Sequence, residues 1–234
     1  MRAGKENPMN ALKMSPAPIS ENGSKDKKEP LRLVDSNSDR KNHRAYAKGE
    51  ILFREMENSS GVYVILKGAV RSYRTVKNSD KQQTFRIHYK GSWVGLRDTF
   101  GEGKHLHNAV ALEDTEVQFV SESEFRLLLQ TDSEFRNQVF DKIACESREA
   151  ENKIYSMGTR HVHAQVAEYL LDRMKEEGSE IELAFTREVL ASIIGVTTET
   201  LVRTLSDLKC RGWIEVDKKK ICVRDENNLV RLLD

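Results

Sequence analysis

Cysteine is scarce. The 234 residues hold three, Cys145, Cys210 and Cys222, with no C-x-x-C spacing. That argues against a disulfide framework and a structural zinc cluster, and suits a reducing compartment. Proline is confined to the start of the chain, as Pro8, Pro16, Pro18 and Pro30. No apolar run approaches the roughly 18 to 20 residues that span a bilayer. Charges and prolines occupy the region where an export signal needs apolar residues, so a cytoplasmic protein with no membrane partner is expected. Excess charge is missing too: 38 Lys and Arg offset 37 Asp and Glu, a net charge of +1. Even residues 160–234 carry 12 basic against 14 acidic side chains, so a nucleic-acid function has to be argued from geometry, not from charge. Catalytic signatures are absent as well. His43, His88, His105, His107, His161 and His163 fall in no metal or triad spacing, and no phosphate loop or nucleophile motif appears. An enzyme is not expected.

What is present divides into four parts. Residues 1–42 are rich in Lys, Glu, Ser and Asn with little apolar clustering, the composition of a disordered tail. Residues 43–132 carry short period-two alternations such as "EILF", "GVYVILKGAVRSY", "TFRIHYKGSWVG" and "TEVQFV". Glycines punctuate them, which predicts an antiparallel jelly roll or barrel. Residues 133–158 turn helical. Phe140, Ile143, Ser147, Ala150, Ile154 and Met157 step by 3, 4, 3, 4, 3, a heptad seam that predicts pairing of two copies, with packing of one amphipathic helix on its own barrel as the alternative. Residues 159–234 read as helix, helix–turn–helix and hairpin, so the fold class is α+β.

In this last part "HVHAQVAEYLLDRMKEEG" is a helix with Val162, Val166, Tyr169, Leu170 and Met174 on one face, ended by Gly178. "FTREVLASIIG" follows, with Thr186 as N-cap and Gly195 able to take the left-handed turn. The next helix has two stripes. Leu201, Leu205 and Leu208 share a buried one, while Glu199, Val202, Arg203 and Ser206 lie opposite. Thr197 is its predicted N-cap, and its free first-turn N–H groups favour a phosphate nearby. "GWIEVDKKKICVRD" then alternates about a basic turn at Lys218 to Lys220, as a hairpin does.

A helix–turn–helix places its second helix in the major groove. Arg203 has the planar fork that bonds guanine O6 and N7 together, Glu199 accepts from cytosine N4, and Val202 suits a thymine methyl. Thr186, Arg187, Thr197, Thr198, Ser206 and Lys218 complete the expected DNA contacts. Taken singly, Glu199 reads as a carboxylate balancing the helix dipole and Arg203 as its i, i+4 partner. Together, after this turn and before a basic hairpin, they point to base readout. A competing reading makes the helical end a protein-docking module anchored by Val202.

"FTREVLASIIGVTTETLVRTLSDLKCRGWIEV" followed by "KKKICVRDENNL" is similar to the DNA-binding end of the CRP/FNR family of bacterial transcription regulators. "YAKGEILFREMENSSGVYVILKGAVRSY" and "GSWVGL" resemble that family's cyclic-nucleotide-binding-type β-roll, so the likeness runs from about residue 44 to the end. The resemblance implies an N-terminal β-roll, a long dimerisation helix and a C-terminal winged helix–turn–helix. It also implies a homodimer on inverted-repeat promoter sites and contact with RNA polymerase. Thr198, Glu199 and Arg203 match the family's base-reading positions. Val202 stands where the fumarate-nitrate-regulator branch has a small polar residue, and a TTGA- or TGTGA-like half-site is implied.

Members that bind cyclic AMP carry a Gly-Glu for the ribose and an Arg-Ser for the phosphate. This chain has Gly95-Leu96 and then "GKHLHNAVA" without arginine, and a buried cyclic phosphate lacking its guanidinium is poorly compensated. The oxygen-sensing branch holds an iron–sulfur cluster on four cysteines, yet no cysteine lies in the first 144 residues here. Haem would need an axial nitrogen from His88, His105 or His107, whose default place is the surface. Cys210, just beyond the second helix, reads first as an inert packing cysteine and second as a candidate redox switch beside DNA. With no intact ligand signature, a regulator needing neither cofactor nor effector is the leading expectation; a haem- or thiol-based sensor is the alternative.

Overall fold

The computed structural model describes residues 42–101 and 103–233. The expected tail therefore lies, except for its last residue, outside the described residues. Eight strands follow in chain order: β1 (His43–Tyr46), β2 (Ile51–Phe53), β3 (Gly61–Lys67), β4 (Val70–Thr75), β5 (Gln82–His88), β6 (Trp93–Val94), β7 (Asn108–Ala111) and β8 (Thr115–Ser121). A short helix, α1 (Leu96–Phe100), sits between β6 and β7. The strands form two antiparallel four-stranded sheets, ordered β1-β8-β3-β6 and β2-β7-β4-β5. This is an antiparallel two-sheet roll, as the jelly-roll reading of the alternations predicted and as the resemblance implied.

Period two decides which side chains fill the roll. Phe53, Tyr63, Ile65, Val70, Val94, Ala109 and Val117 make one cluster from both sheets. The next residues along the strands, Val62 and Val120, point the other way and join Trp93, Leu96, Phe125, Phe135 and Val139 in a second cluster. That second cluster seats two helices, α2 (Glu122–Thr131) and α3 (Ser133–Thr159). The turn from β3 to β4 needs Gly68. Its φ is +91°, and a Cβ there would lie 2.5 Å from Thr115 Oγ1.

Asp132 starts α3 by accepting from the N–H groups of Glu134 and Phe135, both at 2.9 Å. At 27 residues the helix runs about 40 Å. One stripe, including Phe135, Val139, Glu146 and Ser156, is buried against this chain.

The C-terminal part comprises α4 (Val162–Glu177), β9 (Glu180–Glu182), α5 (Arg187–Ile194), α6 (Thr198–Cys210), β10 (Ile214–Asp217), β11 (Lys220–Val223) and α7 (Glu226–Val230). The expected hairpin is β10–β11. It gains a third strand that the sequence did not suggest, giving the order β10-β11-β9. Leu170, Ile181, Leu190, Ile194, Leu201, Leu208, Ile214, Ile221 and Leu229 are almost wholly buried in one cluster. Each such side chain stabilises by about 1.5–3 kcal/mol. The same cluster takes in Ala69 and Ile87 of the β-roll. Among the described residues, no single helix is long and apolar enough to cross a membrane.

Candidate nucleic-acid interface

Three hydroxyl and glycine devices shape the helix–turn–helix. Thr186 Oγ1 accepts from the Val189 N–H at 3.3 Å and opens α5. Gly195, at φ +93°, closes it by donating to Ala191 O at 2.8 Å. Thr197 Oγ1 accepts from the Thr200 N–H at 3.2 Å and opens α6. The two helices meet at 94°, within the range of a helix–turn–helix.

Leu201, Leu205 and Leu208 are buried beneath α6, together with Thr204. The opposite stripe faces outward: Glu199, Arg203 and Ser206 are exposed, and Val202 is 50% exposed. Thr186 and Thr197 are exposed as well, and Thr198 is half-buried. The Glu199 carboxyl is held below the usual carboxylate range first by its own backbone N–H and then by the Thr197 hydroxyl, with Arg203 adding to the same direction. Among the described residues no ion pair or hydrogen bond engages the Arg203 guanidinium. The i, i+4 pairing that would neutralise it is not formed, so its fork points into solvent.

The β10–β11 turn puts Lys218 at φ +45°, a strained conformation for a residue with a Cβ. Two bonds hold the turn there. Leu183 N–H donates to Lys219 O at 2.9 Å, and Arg187 Nη2 donates to Lys218 O at 3.0 Å. Arg187 is half-buried, and burial lowers its pKa. The guanidinium that the sequence assigned to DNA thus supports the turn from behind, while the Lys218, Lys219 and Lys220 side chains are exposed in front. Sequence reasoning placed all three on a basic turn and assigned only Lys218 to DNA. Arg211, stacked 5.0 Å over Trp213, adds a further exposed cation that i, i+2 spacing does not advertise.

Most of the heptad seam of α3 is exposed, although Ala150, Ile154 and Met157 also border a cavity against β5 and the C-terminal part. Phe140 is 61%, Ile154 71% and Met157 42% exposed. Ser147 and Ala150 are also exposed. Ile143 is the exception: it is half-buried against the Trp93–Phe135–Val139 cluster.

A cavity of about 360 Å³ lies between β5, α3 and the C-terminal part, bordered by His88, Leu96, Arg97, His107, Ala150 and Tyr169 among others. The three histidines are not on the surface. His88, His105 and His107 are 6%, 2% and 8% exposed. His88 Nε2 lies 2.9 Å from Ser72 Oγ, and burial pushes the ring's pKa well below the ordinary value. His105 Nδ1 lies 2.8 Å from Asp98 Oδ2, and its ring stacks on Phe53 at 3.6 Å. Burial brings His107 down to about 4 against an opposing pull from Asp98. Leu96, at the position where cyclic-AMP binders carry a carboxylate, is 2% exposed inside an apolar cluster. Beside it Glu146, 4% exposed, gathers Arg86 at 3.1 Å, Arg97 at 3.8 Å and Lys142 at 4.0 Å. Arg86 also pairs with Glu149 at 2.7 Å. Cys210 is exposed on the last turn of α6.

Comparison with known proteins places this geometry. Residues 43–132 match the cyclic nucleotide-binding domain and residues 164–232 the Crp-like helix-turn-helix domain. The chain is 26% identical to the fumarate and nitrate reduction regulatory protein of Escherichia coli over 194 residues, covering 79% of this chain and 76% of that protein. It is 25% identical to the anaerobic regulatory protein of Haemophilus influenzae, covering 79% and 74%. Among solved structures, FixK2 from Bradyrhizobium japonicum superposes with a TM-score of 0.73 at 27% identity, covering 81% of this chain and 96% of FixK2. A CooA mutant from Carboxydothermus hydrogenoformans shares the fold, with a TM-score of 0.77 at 18% identity and coverage of 93% and 100%. A β-roll, a long helix and a helix–turn–helix with its second helix turned outward, matched by relatives along most of their length, make this chain a member of the CRP/FNR family of transcription regulators.

Proposed function

We propose that this regulator reads an inverted-repeat promoter site as a homodimer and does so without a cyclic nucleotide or other required effector. The observation that carries the reading is the outward stripe of α6, where Arg203 and Glu199 are exposed and not paired with each other. Arg203 bonds guanine O6 and N7, Glu199 accepts from cytosine N4, and Val202 packs on a thymine methyl. Thr198 stands with them at a base-reading position, Thr186, Thr197, Ser206 and Lys218 hold phosphates, and Arg187 acts through Lys218 by fixing the turn. The exposed stripe of α3, from Phe140 to Met157, pairs with its copy and sets the twofold axis.

Two features support effector independence. Leu96 offers no carboxylate to a ribose, and the guanidinium groups beside the cavity are engaged, Arg86 and Arg97 by Glu146 and Glu149 and Arg173 by Glu177. The Glu146 cluster ties the β-roll to α3 with side chains alone. RNA polymerase is the expected protein partner and the cytoplasm the expected compartment, both by family analogy.

One observation favours a second reading, a haem-based sensor. His107 borders the cavity, and its depressed pKa of about 4 keeps the ring neutral, as a ligand nitrogen must be. A Soret band in the purified protein supports that reading, and its absence together with full DNA binding removes it. Peroxide treatment of wild type and Cys210→Ser, followed by DNA titration, tests the thiol-based version.

Selection of bound duplexes from a random pool tests the main proposal. The expected product is an inverted repeat whose half-sites lie about one helical turn apart, enriched equally with and without cyclic AMP. Recovery of unrelated sequences overturns it.

A further inference from the structure

The C-terminal part meets the β-roll chiefly through α5 and the turn after it, with Arg173 of α4 adding a contact 5.7 Å over the Tyr89 ring. At the centre of that contact lie three buried polar side chains from distant points of the chain: Arg71 on β4, Thr84 on β5 and Ser192 on α5, 8%, 1% and 7% exposed. Arg71 Nε donates to Thr84 Oγ1 at 2.7 Å, and Arg71 Nη2 donates to Ser192 Oγ at 3.2 Å. The two hydroxyl oxygens are 2.6 Å apart. The Ser192 hydroxyl proton goes to Val189 O at 2.7 Å, so the Thr84 hydroxyl is the donor between them. Both hydroxyl protons then have an acceptor.

This arrangement differs in kind from the apolar contact around it. Ala69 and Ile87 pack against the C-terminal cluster and hold α5 close, but apolar packing tolerates small slides along the contact. A directional network does not, because a slide takes the Ser192 oxygen away from both buried donors, Arg71 Nη2 and the Thr84 hydroxyl. Gln83 adds a flanking bond, from Nε2 to Ser192 O at 2.9 Å. The turn is constrained as well. A Cβ on Gly195 would lie 2.8 Å from Met157 Cε and 3.3 Å from Gln83 Oε1, so the turn abuts both the end of α3 and β5.

We infer that Arg71, Thr84 and Ser192 are positioning residues for DNA recognition: they register α5 on the β-roll and so hold α6 at one angle to the dimer helix with no ligand bound. This rests on the homodimeric regulator proposed above. The chain of connection runs from α3 to the β-roll by the Glu146 cluster, from the β-roll to α5 by these hydroxyls, and from α5 to α6 across the 94° turn. Two reading helices fixed in this way match a repeat of one spacing. Loosely held ones bind each half-site equally well but gain less from engaging both at once, because the effective concentration of the second falls.

The test titrates wild type, Thr84→Val and Ser192→Ala onto two duplexes, one with the selected inverted repeat and one with a single half-site. The variants are expected to lose about tenfold on the repeat, a loss of bivalent advantage, and to match wild type on the half-site. Equal weakening on both duplexes identifies damage to the reading domain itself and overturns the positioning role. So does unchanged binding on both, and so does tighter binding to the repeat, which would make the contact inhibitory. A second variant, Thr84→Cys/Ser192→Cys, uses the closeness of the two hydroxyls. Its oxidised, disulfide-linked form is expected to bind the repeat as wild type does and its reduced form to bind weakly; weak binding by the linked form overturns the role. Wild type that shows no preference for the repeat over a half-site overturns the regulator reading itself, an outcome distinct from variants that match a repeat-preferring wild type.

Discussion

Among the described residues the β-roll buries ten polar or charged side chains, from Arg71 to Gln118, whereas the chain from residue 160 onward buries three, Arg173, Ser192 and Thr204. Three of the ten are histidines, and one is an arginine with no carboxylate hydrogen-bonded to it. The C-terminal core is leucine, isoleucine and valine almost throughout. The difference separates two jobs. An aliphatic core packed beneath α6 presents a rigid reading face whatever the conditions, while a core seeded with hydrogen-bonded ionisable groups couples its neighbours in fixed register and responds to pH.

The comparison is broken most severely by attacking the aliphatic side. Leu208, fully buried under α6, should cost about 2–5 kcal/mol as Leu208→Ala, measured by urea unfolding. Half-site and repeat binding should fall together, because the reading face itself is undermined.

Acid should sharpen the contrast. The ordinary histidine value is near 6.5, and His107 is depressed to about 4 by burial. Above 6.5 neither folded nor unfolded chain holds this proton, and no stability is lost. As pH falls from 6.5 towards 4, the unfolded chain takes up a proton that the folded ring refuses, so stability declines across that window. His88, also depressed by burial, acts in the same direction. The two tryptophans report the parts separately, Trp93 from the β-roll and Trp213 from the C-terminal part. Thermal melts of Trp213→Phe, followed at Trp93, should shift downward on acidification, and adding His107→Leu should shrink that shift.

A smaller effect is expected at the start of α6. Thr197→Ala removes the cap that accepts from the Thr200 N–H and should cost about 1 kcal/mol, visible as a lowered urea midpoint with the roll's acid response unchanged.

These contrasts were unevenly legible in the sequence. The caps at Thr186 and Thr197, the glycine turn, the leucine stripe and the basic hairpin are local devices, and local spacing found them. β9 was missed because "EIE" is too short for an alternation to register, and its pairing with β11 is non-local. The histidines were misplaced for a physical reason. In "KHLHNAVA" the period-two rule puts Leu106 inside and the flanking histidines outside, but the structure has Leu106 at 60% exposure and both rings buried. Phe53 stacks on His105 and Asp98 bonds it, partners that arrive from elsewhere in the chain. The contact between α5 and the β-roll was invisible for the same cause, since Arg71 and Thr84 are 121 and 108 residues from Ser192. The one local hint was a hydroxyl in the buried run "VLASII". The bond from Arg187 to Lys218 O was equally hidden, because only the folded hairpin shows where that carbonyl lies.

The central claim is that exposed α6 side chains read bases while the hairpin lysines read only phosphate. The most direct measurement compares wild type, Arg203→Ala and Lys218→Ala on the selected repeat and on random duplex across a range of salt. Arg203→Ala is predicted to lose about 1–3 kcal/mol of preference for the repeat with random binding unchanged. Lys218→Ala is predicted to weaken both duplexes alike and to lower the salt slope by about one. Equal loss on both duplexes for Arg203→Ala would contradict the account.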